Sequence, residues 1–298
     1  MGVAAEPKSY THALPGGRPR ATVRVRPLLT GEILAPPAFF RRPGGACSVP
    51  RALLAPRRSW SPVPIPAFLV EHPGAGSVLV DAGLHASVAV SPADNLGPLG
   101  ARLYHVRMRA EQAVPAQLEA LGVDPLSVRV VVMTHLHYDH ASGVSAFPEA
   151  TFVVARAEWE AAASGGMLRG YRPRQFDHAF DWRAIDWSSP GLSSFAAFGR
   201  SVDLFDDGSV RLVSTPGHSP GHQSVVLRLH DRELLLTGDA AYRRQAITDG
   251  ERPLLCADEH LYRRSLSEIR AYVERTPSAV VIYGHDPEGW AQLDEVYS

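Results

Sequence analysis

The chain has 298 residues, 45% of them hydrophobic and 20% charged, and a net charge of −1. That length gives room for one large core or two modest ones, and the near-neutral balance leaves no electrostatic footprint for nucleic acid. Lys8 is the only lysine, so nearly all positive charge is arginine. Cys47 and Cys256 are the only cysteines, and a chain of this size needs no disulfide scaffold, so both are read as free thiols. Met1 to Pro15 carries Glu6, Lys8 and His12 without an apolar centre, unlike a secretory signal. No run of about 18 apolar residues suggests a membrane span. The expectation is a cytoplasmic protein.

In chain order, residues 1–22 are rich in Pro, Gly and Ala and read as a flexible tail, leaving 23–298 as a single domain. Val23 to Arg58 reads as strand fragments broken by Pro36, Pro37, Pro43 and Pro50. Ala67–Glu71 and Ser77–Asp81 flank Pro73-Gly74-Ala75-Gly76 as a β-hairpin. Leu84 to Val106, interrupted by Pro92, Gly97, Pro98 and Gly100, reads as a long loop. A helix is expected over Ala113–Leu121 with Gly122 as its stop, and then a doubly buried strand over Val128–Met133. Phe152–Ala155 reads as a strand and Ala157–Ala163 as a helix; Met167 to Pro190 is aromatic but aperiodic. Strands follow at Val210–Ser214, Ser224–Leu229 and Glu233–Thr237. An amphipathic helix spans Asp258 to Thr276, and Ala279–Tyr283 is the last strand. Buried strands with helices between them imply a layered α/β architecture.

The chemistry-bearing residues sit where strands end. Val128–Met133 runs into Thr134-His135-Leu136-His137-Tyr138-Asp139-His140. In an extended segment His135 and His137 point the same way and can share one cation, while Asp139 and His140 come as the chain turns towards a second. Imidazole and carboxylate are ligands for zinc, or for iron, manganese or cobalt. Thr215-Pro216-Gly217-His218-Ser219-Pro220-Gly221-His222 follows another strand as a tight turn. Leu236-Thr237-Gly238-Asp239 and Tyr283-Gly284-His285-Asp286 end two more, so four loops can converge on one edge.

This order of motifs resembles the metallo-β-lactamase superfamily, from about Ala67 to the C-terminus. The resemblance implies an αββα sandwich with a dinuclear site at one edge of its two sheets. It implies that His135, His137 and His218 hold one divalent metal, that Asp139, His140 and His285 hold the other, and that Asp239 bridges them. His222 falls outside that pattern and is expected to be structural or to support a ligand from behind without touching metal. Within the superfamily the chain looks most like the N-acyl-homoserine lactonase (quorum-quenching) group. Pro64–His72 with Val80-Asp81-Ala82-Gly83 resembles its leading hairpin, and Asp239-Ala240-Ala241-Tyr242 places a tyrosine three residues after the bridging aspartate, as in those lactonases. The group also implies a homodimer.

The reaction expected is lactone ring opening, with a lactone or ester as the small-molecule partner. Ester hydrolysis at neutral pH needs an activated nucleophile, here a hydroxide held between two cations, with zinc the expected metal and able to lower the pKa of water to about 7. Tyr242 would donate to the developing oxyanion, and Asp139 would move a proton from nucleophile to leaving group. Five aromatics in Met167–Trp187 could wall an acyl chain or simply pack on the core. The competing readings are an esterase of the same fold acting on other lactones, aryl esters or phosphotriesters, and a metal-binding module without hydrolytic activity.

Overall fold

A computed structural model of the chain describes residues 3–42 and 55–298. Among the described residues fourteen strands form two sheets. The first contains β1 (Lys8–Ser9), β2 (Arg24–Ala35), β3 (Ser61–His72), β4 (Gly76–Val80), β5 (Val106–Arg107), β6 (Val130–Val132), β7 (Thr151–Ala155) and β8 (Asp181–Ile185), in spatial order β1-β8-β7-β6-β4-β3-β2-β5. The second contains β9 (Ser193–Phe195), β10 (Phe198–Asp203), β11 (Val210–Ser214), β12 (Gln223–Arg228), β13 (Glu233–Leu236) and β14 (Val280–Ile282), ordered β14-β13-β12-β11-β10-β9. Strands β4, β6, β7 and β8 run parallel, whereas β2, β3 and β4 form an antiparallel meander.

The alternation of side chains along each strand builds three apolar layers from one set of valines and leucines. Val130 and Val132 face the core between the sheets, while Val131 faces the opposite side, under the helices Val114–Ala120 and Arg156–Ser164. In the second sheet Leu234 and Leu236 point into the inter-sheet core, and Leu235 packs beneath the helices Arg244–Asp249 and Glu259–Arg275. Helix, sheet, sheet and helix thus stack as the expected αββα sandwich. Each such side chain, fully buried, contributes about 1.5–3 kcal/mol.

Three parts of the chain depart from the sequence expectations. The opening residues, read as a loose tail, are bound along the first sheet's edge: β1 pairs with β8, Tyr10 N donates to Ala184 O (2.9 Å) and Leu14 N to Leu204 O (2.8 Å). A Pro/Gly-rich segment that forms no regular element alone can still satisfy an open sheet edge.

The stretch from Val23 to Arg58, read as proline-broken fragments, holds a long unbroken strand, β2, which stops at Pro36, and a second long strand follows it. Pro62, Pro64 and Pro66 all lie inside β3, which pairs with β2 throughout but meets β4 only over Phe68–His72. Alternate residues project their backbone groups to the same side, so these three place their missing N–H away from β2, where no neighbouring strand needs it. Pro43, Pro50 and Cys47 lie outside the described residues; Cys256 is a half-buried free thiol.

The third departure is Leu84–Val106, which is largely helical, with helices Ser87–Val90 and Pro92–Leu103. Pro92 stands in the first turn, where its missing N–H costs nothing, and Gly97 (φ 77°) with Pro98 kinks the helix rather than ending it. Among the described residues no helix is long and apolar enough to cross a membrane.

Candidate metal centre

Strands β6, β11, β13 and β14 each end in a loop carrying a candidate ligand, and all four loops meet. His135 and His137 follow β6, and the short helix Tyr138–Ala141 turns Asp139 and His140 inward. The turn after β11 presents His218, the turn after β13 presents Asp239, and His285 follows β14. Gly217 (φ 133°) is required in the His218 turn, because a Cβ there would meet the backbone of Tyr262 at 2.2 Å.

All seven side chains are buried, and they fall into two groups. His135, His137, His218 and Asp239 bring one ligand atom each to within 4.8 Å of one another, and Asp139, His140 and His285 do the same. Asp239 lies between the groups. Its Oδ2 is 3.2 Å from His218 Nε2 and 3.7 Å from His135 Nε2, while its Oδ1 is 3.2 Å from His285 Nε2 and 3.4 Å from His140 Nε2. Asp139 Oδ2 is 3.6 Å from His285 Nε2 and 3.9 Å from His140 Nε2. His218 Nε2 and His137 Nδ1 face each other at 2.8 Å.

This donor set fits divalent cations. Among the described residues His135 Nε2, His140 Nε2, His285 Nε2 and Asp239 Oδ1 face this centre, buried without a hydrogen-bond partner. An orphaned buried polar atom costs about 1–3 kcal/mol, and four in one place call for a shared partner. Neutral imidazole and ionised carboxylate are the forms that bind metal. Burial, together with neighbouring histidines, pushes His135 and His218 well below the usual imidazole range, and His137 down to about 4. Burial opposes ionisation of Asp239, but His285, His218, His140 and His135 outweigh it and hold the carboxyl well below its ordinary value.

Surrounding groups fix the rings. His140 Nδ1 donates to Asp81 Oδ2 (2.7 Å), and His285 Nδ1 donates to Pro64 O (2.7 Å), a carbonyl on the side of β3 that turns away from β2. The Thr134 hydroxyl donates to Asp81 Oδ2 and so accepts from His135 Nδ1 (3.0 Å). In all three rings Nε2 is thereby left to the centre.

Both ring nitrogens of His222 are taken up by hydrogen bonds. Ser224 Oγ donates to Thr237 O, Thr215 Oγ1 therefore donates to Ser224, and His222 Nδ1 donates to Thr215. Its Nε2 is left as the acceptor for the backbone N–H of Asp239 (2.9 Å). A Cβ on Gly238 would meet that nitrogen at 2.7 Å, which explains the glycine before Asp239.

Tyr242 lies beside the histidines, its ring centroid 5.0 Å from that of His285 and 5.6 Å from that of His218. Phe39 stacks on it at 4.8 Å, Phe40 packs edge-on to Phe39, and the Arg243 guanidinium covers Phe40 while pairing with Glu251. The Tyr242 hydroxyl has no hydrogen-bond partner among the described residues. Burial first, then Asp239 and Asp139, push it well above the usual phenol range, so it stays protonated.

Sequence reasoning missed Asp81, Pro64, Glu158 and Phe39 as parts of the site. Asp81, directly after an apolar strand, and Glu158, in the first turn of the helix after one, carry a signal only in hindsight; Pro64 acts through its backbone, which side-chain patterns do not encode. The aromatics of 167–187 mostly pack: Phe176 and Trp182 are fully buried, and Trp182 stacks on Phe152 and against Trp159 in the core under the helices. Only Tyr171 of these touches the centre, 4.8 Å from the His137 ring.

Two buried His/Asp groups at the loop edge of an αββα sandwich define a metal-binding hydrolase architecture. The metallo-beta-lactamase superfamily profile matches residues 60–285, and the chain belongs to that superfamily. The N-acyl homoserine lactonase AttM of Rhizobium radiobacter is 36% identical over 241 residues, covering 78% of this chain and 85% of its own. An N-acyl homoserine lactonase of Bacillus cereus is 30% identical over 253 residues, covering 83% and 92%. Among solved structures, an N-acyl homoserine lactone hydrolase with the product N-hexanoyl-L-homoserine at its catalytic metal center matches with a TM-score of 0.73 at 23% identity, covering 92% of this chain and 97% of that one. AidC, a dizinc quorum-quenching lactonase with bound product, matches with a TM-score of 0.60 at 14% identity, covering 93% and 90%. These two likenesses describe the fold.

Proposed function

We propose that the chain is a metal-dependent hydrolase that opens the ring of N-acyl-homoserine lactones. The observation that carries this is Asp239, one carboxylate oxygen facing each group of histidines, with Tyr242 alongside. The relatives named as N-acyl homoserine lactonases support the substrate class. His135, His137 and His218 would hold one divalent ion, Asp139, His140 and His285 the other, and Asp239 both. The dizinc neighbour favours zinc, and the lactonase resemblance favours a homodimer.

Divalent ions bound there supply Lewis acidity, lowering the pKa of water to about 7 and polarising an ester carbonyl. The protein's own groups do the rest. Tyr242, kept protonated by burial, donates a hydrogen bond to the oxyanion that grows as the carbonyl is attacked. The Asp139 carboxylate, beside both His140 and His285, would take a proton from the nucleophile and return it to the departing alkoxide. Phe39 sits over Tyr242 at the half-buried edge of an apolar cluster with Phe40, and this ring, rather than the 167–187 segment, would meet the acyl chain.

The test is kcat/KM across N-acyl-homoserine lactones, unacylated lactones, aryl esters and phosphotriesters. The reading expects the acylated lactones to lead. A phosphotriester or aryl ester turned over faster would assign the same centre to another ester.

A further inference from the structure

We propose that Glu158 is a positioning residue that selectively organises the first metal group, His135, His137 and His218. The inference rests on the metal-binding reading above. Glu158 is fully buried in the helix Arg156–Ser164, and both of its oxygens accept two hydrogen bonds. Oε1 accepts from the backbone N–H of Leu136 (3.0 Å) and from the Tyr171 hydroxyl (3.1 Å); Oε2 accepts from Ser219 Oγ (2.6 Å) and the backbone N–H of Gly221 (3.0 Å).

Three of these four donors adjoin a member of that one group, and the fourth, Gly221, belongs to the turn that carries His218. Leu136 stands between His135 and His137, Tyr171 packs on the His137 ring, and Ser219 follows His218. One carboxylate therefore ties together loops far apart in sequence. The approach is close: a Cβ on Gly221 would meet Glu158 N at 2.2 Å, so the second glycine of the His218 turn is what lets the turn seat on this helix. Asp139, His140 and His285 receive nothing from Glu158; His140 is aligned by Asp81 and His285 by Pro64 O.

Glu158→Gln keeps the size but replaces one acceptor oxygen with an NH2. The Tyr171 and Ser219 hydroxyls can rotate to accept from it, but the backbone N–H groups cannot. Whichever way the amide turns, Leu136 N–H or Gly221 N–H loses its acceptor, and the strap on one loop fails.

The test measures cobalt(II) affinity in two backgrounds: His285→Ala, which cripples the second group, and His218→Ala, which cripples the first. Adding Glu158→Gln is expected to weaken binding about 10–100-fold in the His285→Ala chain and to leave it unchanged in the His218→Ala chain. Equal losses in both backgrounds, or no loss in the first, would overturn the proposal while the unaltered chain still took up its metal. No cobalt uptake by the unaltered chain would overturn the metal-binding reading itself. If circular dichroism shows that Glu158→Gln does not fold, Ser219→Ala removes one donor and keeps the carboxylate; a smaller loss confined to the first group is then expected, and an even loss contradicts it.

Discussion

Asp81 holds His140 through a 2.7 Å hydrogen bond to Nδ1 while its own backbone occupies the left-handed region, at φ 61°. A non-glycine residue there is strained, and persists where its surroundings over-determine it. Here Thr134 supplies both its N–H (2.7 Å) and its hydroxyl (2.8 Å) to the same carboxylate. Asp81→Asn leaves too few acceptors for three donors. It is expected to lower the metal affinity of the Asp139–His140–His285 group about 10–100-fold, read by chelator competition; unchanged affinity would show that His140 is oriented without it.

Tyr242→Phe removes a hydroxyl that no described residue uses, and keeps the ring stacked on Phe39. The fold and metal content should be unaltered while kcat on the best lactone falls about 10²–10³-fold, the usual cost of one oxyanion donor. Steady-state kinetics with metal analysis decides this, and an unchanged kcat would take Tyr242 out of the reaction.

His222→Ala separates a structural histidine from a ligand. It orphans the Asp239 N–H and breaks the chain through Thr215 to Ser224, so stability in chelator should fall by at least about 1–3 kcal/mol in urea unfolding. Metal stoichiometry should be retained; loss of one metal per chain would make His222 a ligand.

The strand ends that carry His135, His218, Asp239 and His285 were legible because apolar runs such as Val210–Ser214 and Leu234–Leu236 end in polar residues at turns. The apolar valine run before His135 likewise reads as doubly buried, which it is. Other features were hidden by their chemistry. Proline removes a ladder donor, yet Pro62, Pro64 and Pro66 are accommodated because β3 has only one neighbour there, a matter of pairing that local sequence does not carry. Pro92 and Pro98 read as loop markers but occupy a helix start and a kink. The docking of the first residues depends on carboxylates far along the chain, Asp177, Asp181 and Asp207, which no local pattern announces.

Those carboxylates give the N-terminal segment a pH dependence. Burial raises Asp181 and Asp207, but hydrogen bonds outweigh it and hold both below 3.8: Lys8, Arg183 and Thr151 on Asp181, and Ser209, Arg18 and His72 on Asp207. A depressed folded value contributes stability that is present above the unfolded value and lost as pH falls through the folded one. The protection factors of the Tyr10 and Leu14 amides should therefore hold from neutral pH down through the ordinary carboxylate range and fall only below it. Loss of protection near pH 6.5, about where an unperturbed histidine titrates, would contradict the assignment.

The most direct test of the account is acid release from N-hexanoyl-homoserine lactone by purified protein, before chelation, after it, and after adding back zinc. The account predicts ring opening that chelation abolishes and two equivalents of zinc per chain restore. Hydrolysis that survives complete metal removal, or none from protein holding two metals per chain, would contradict it.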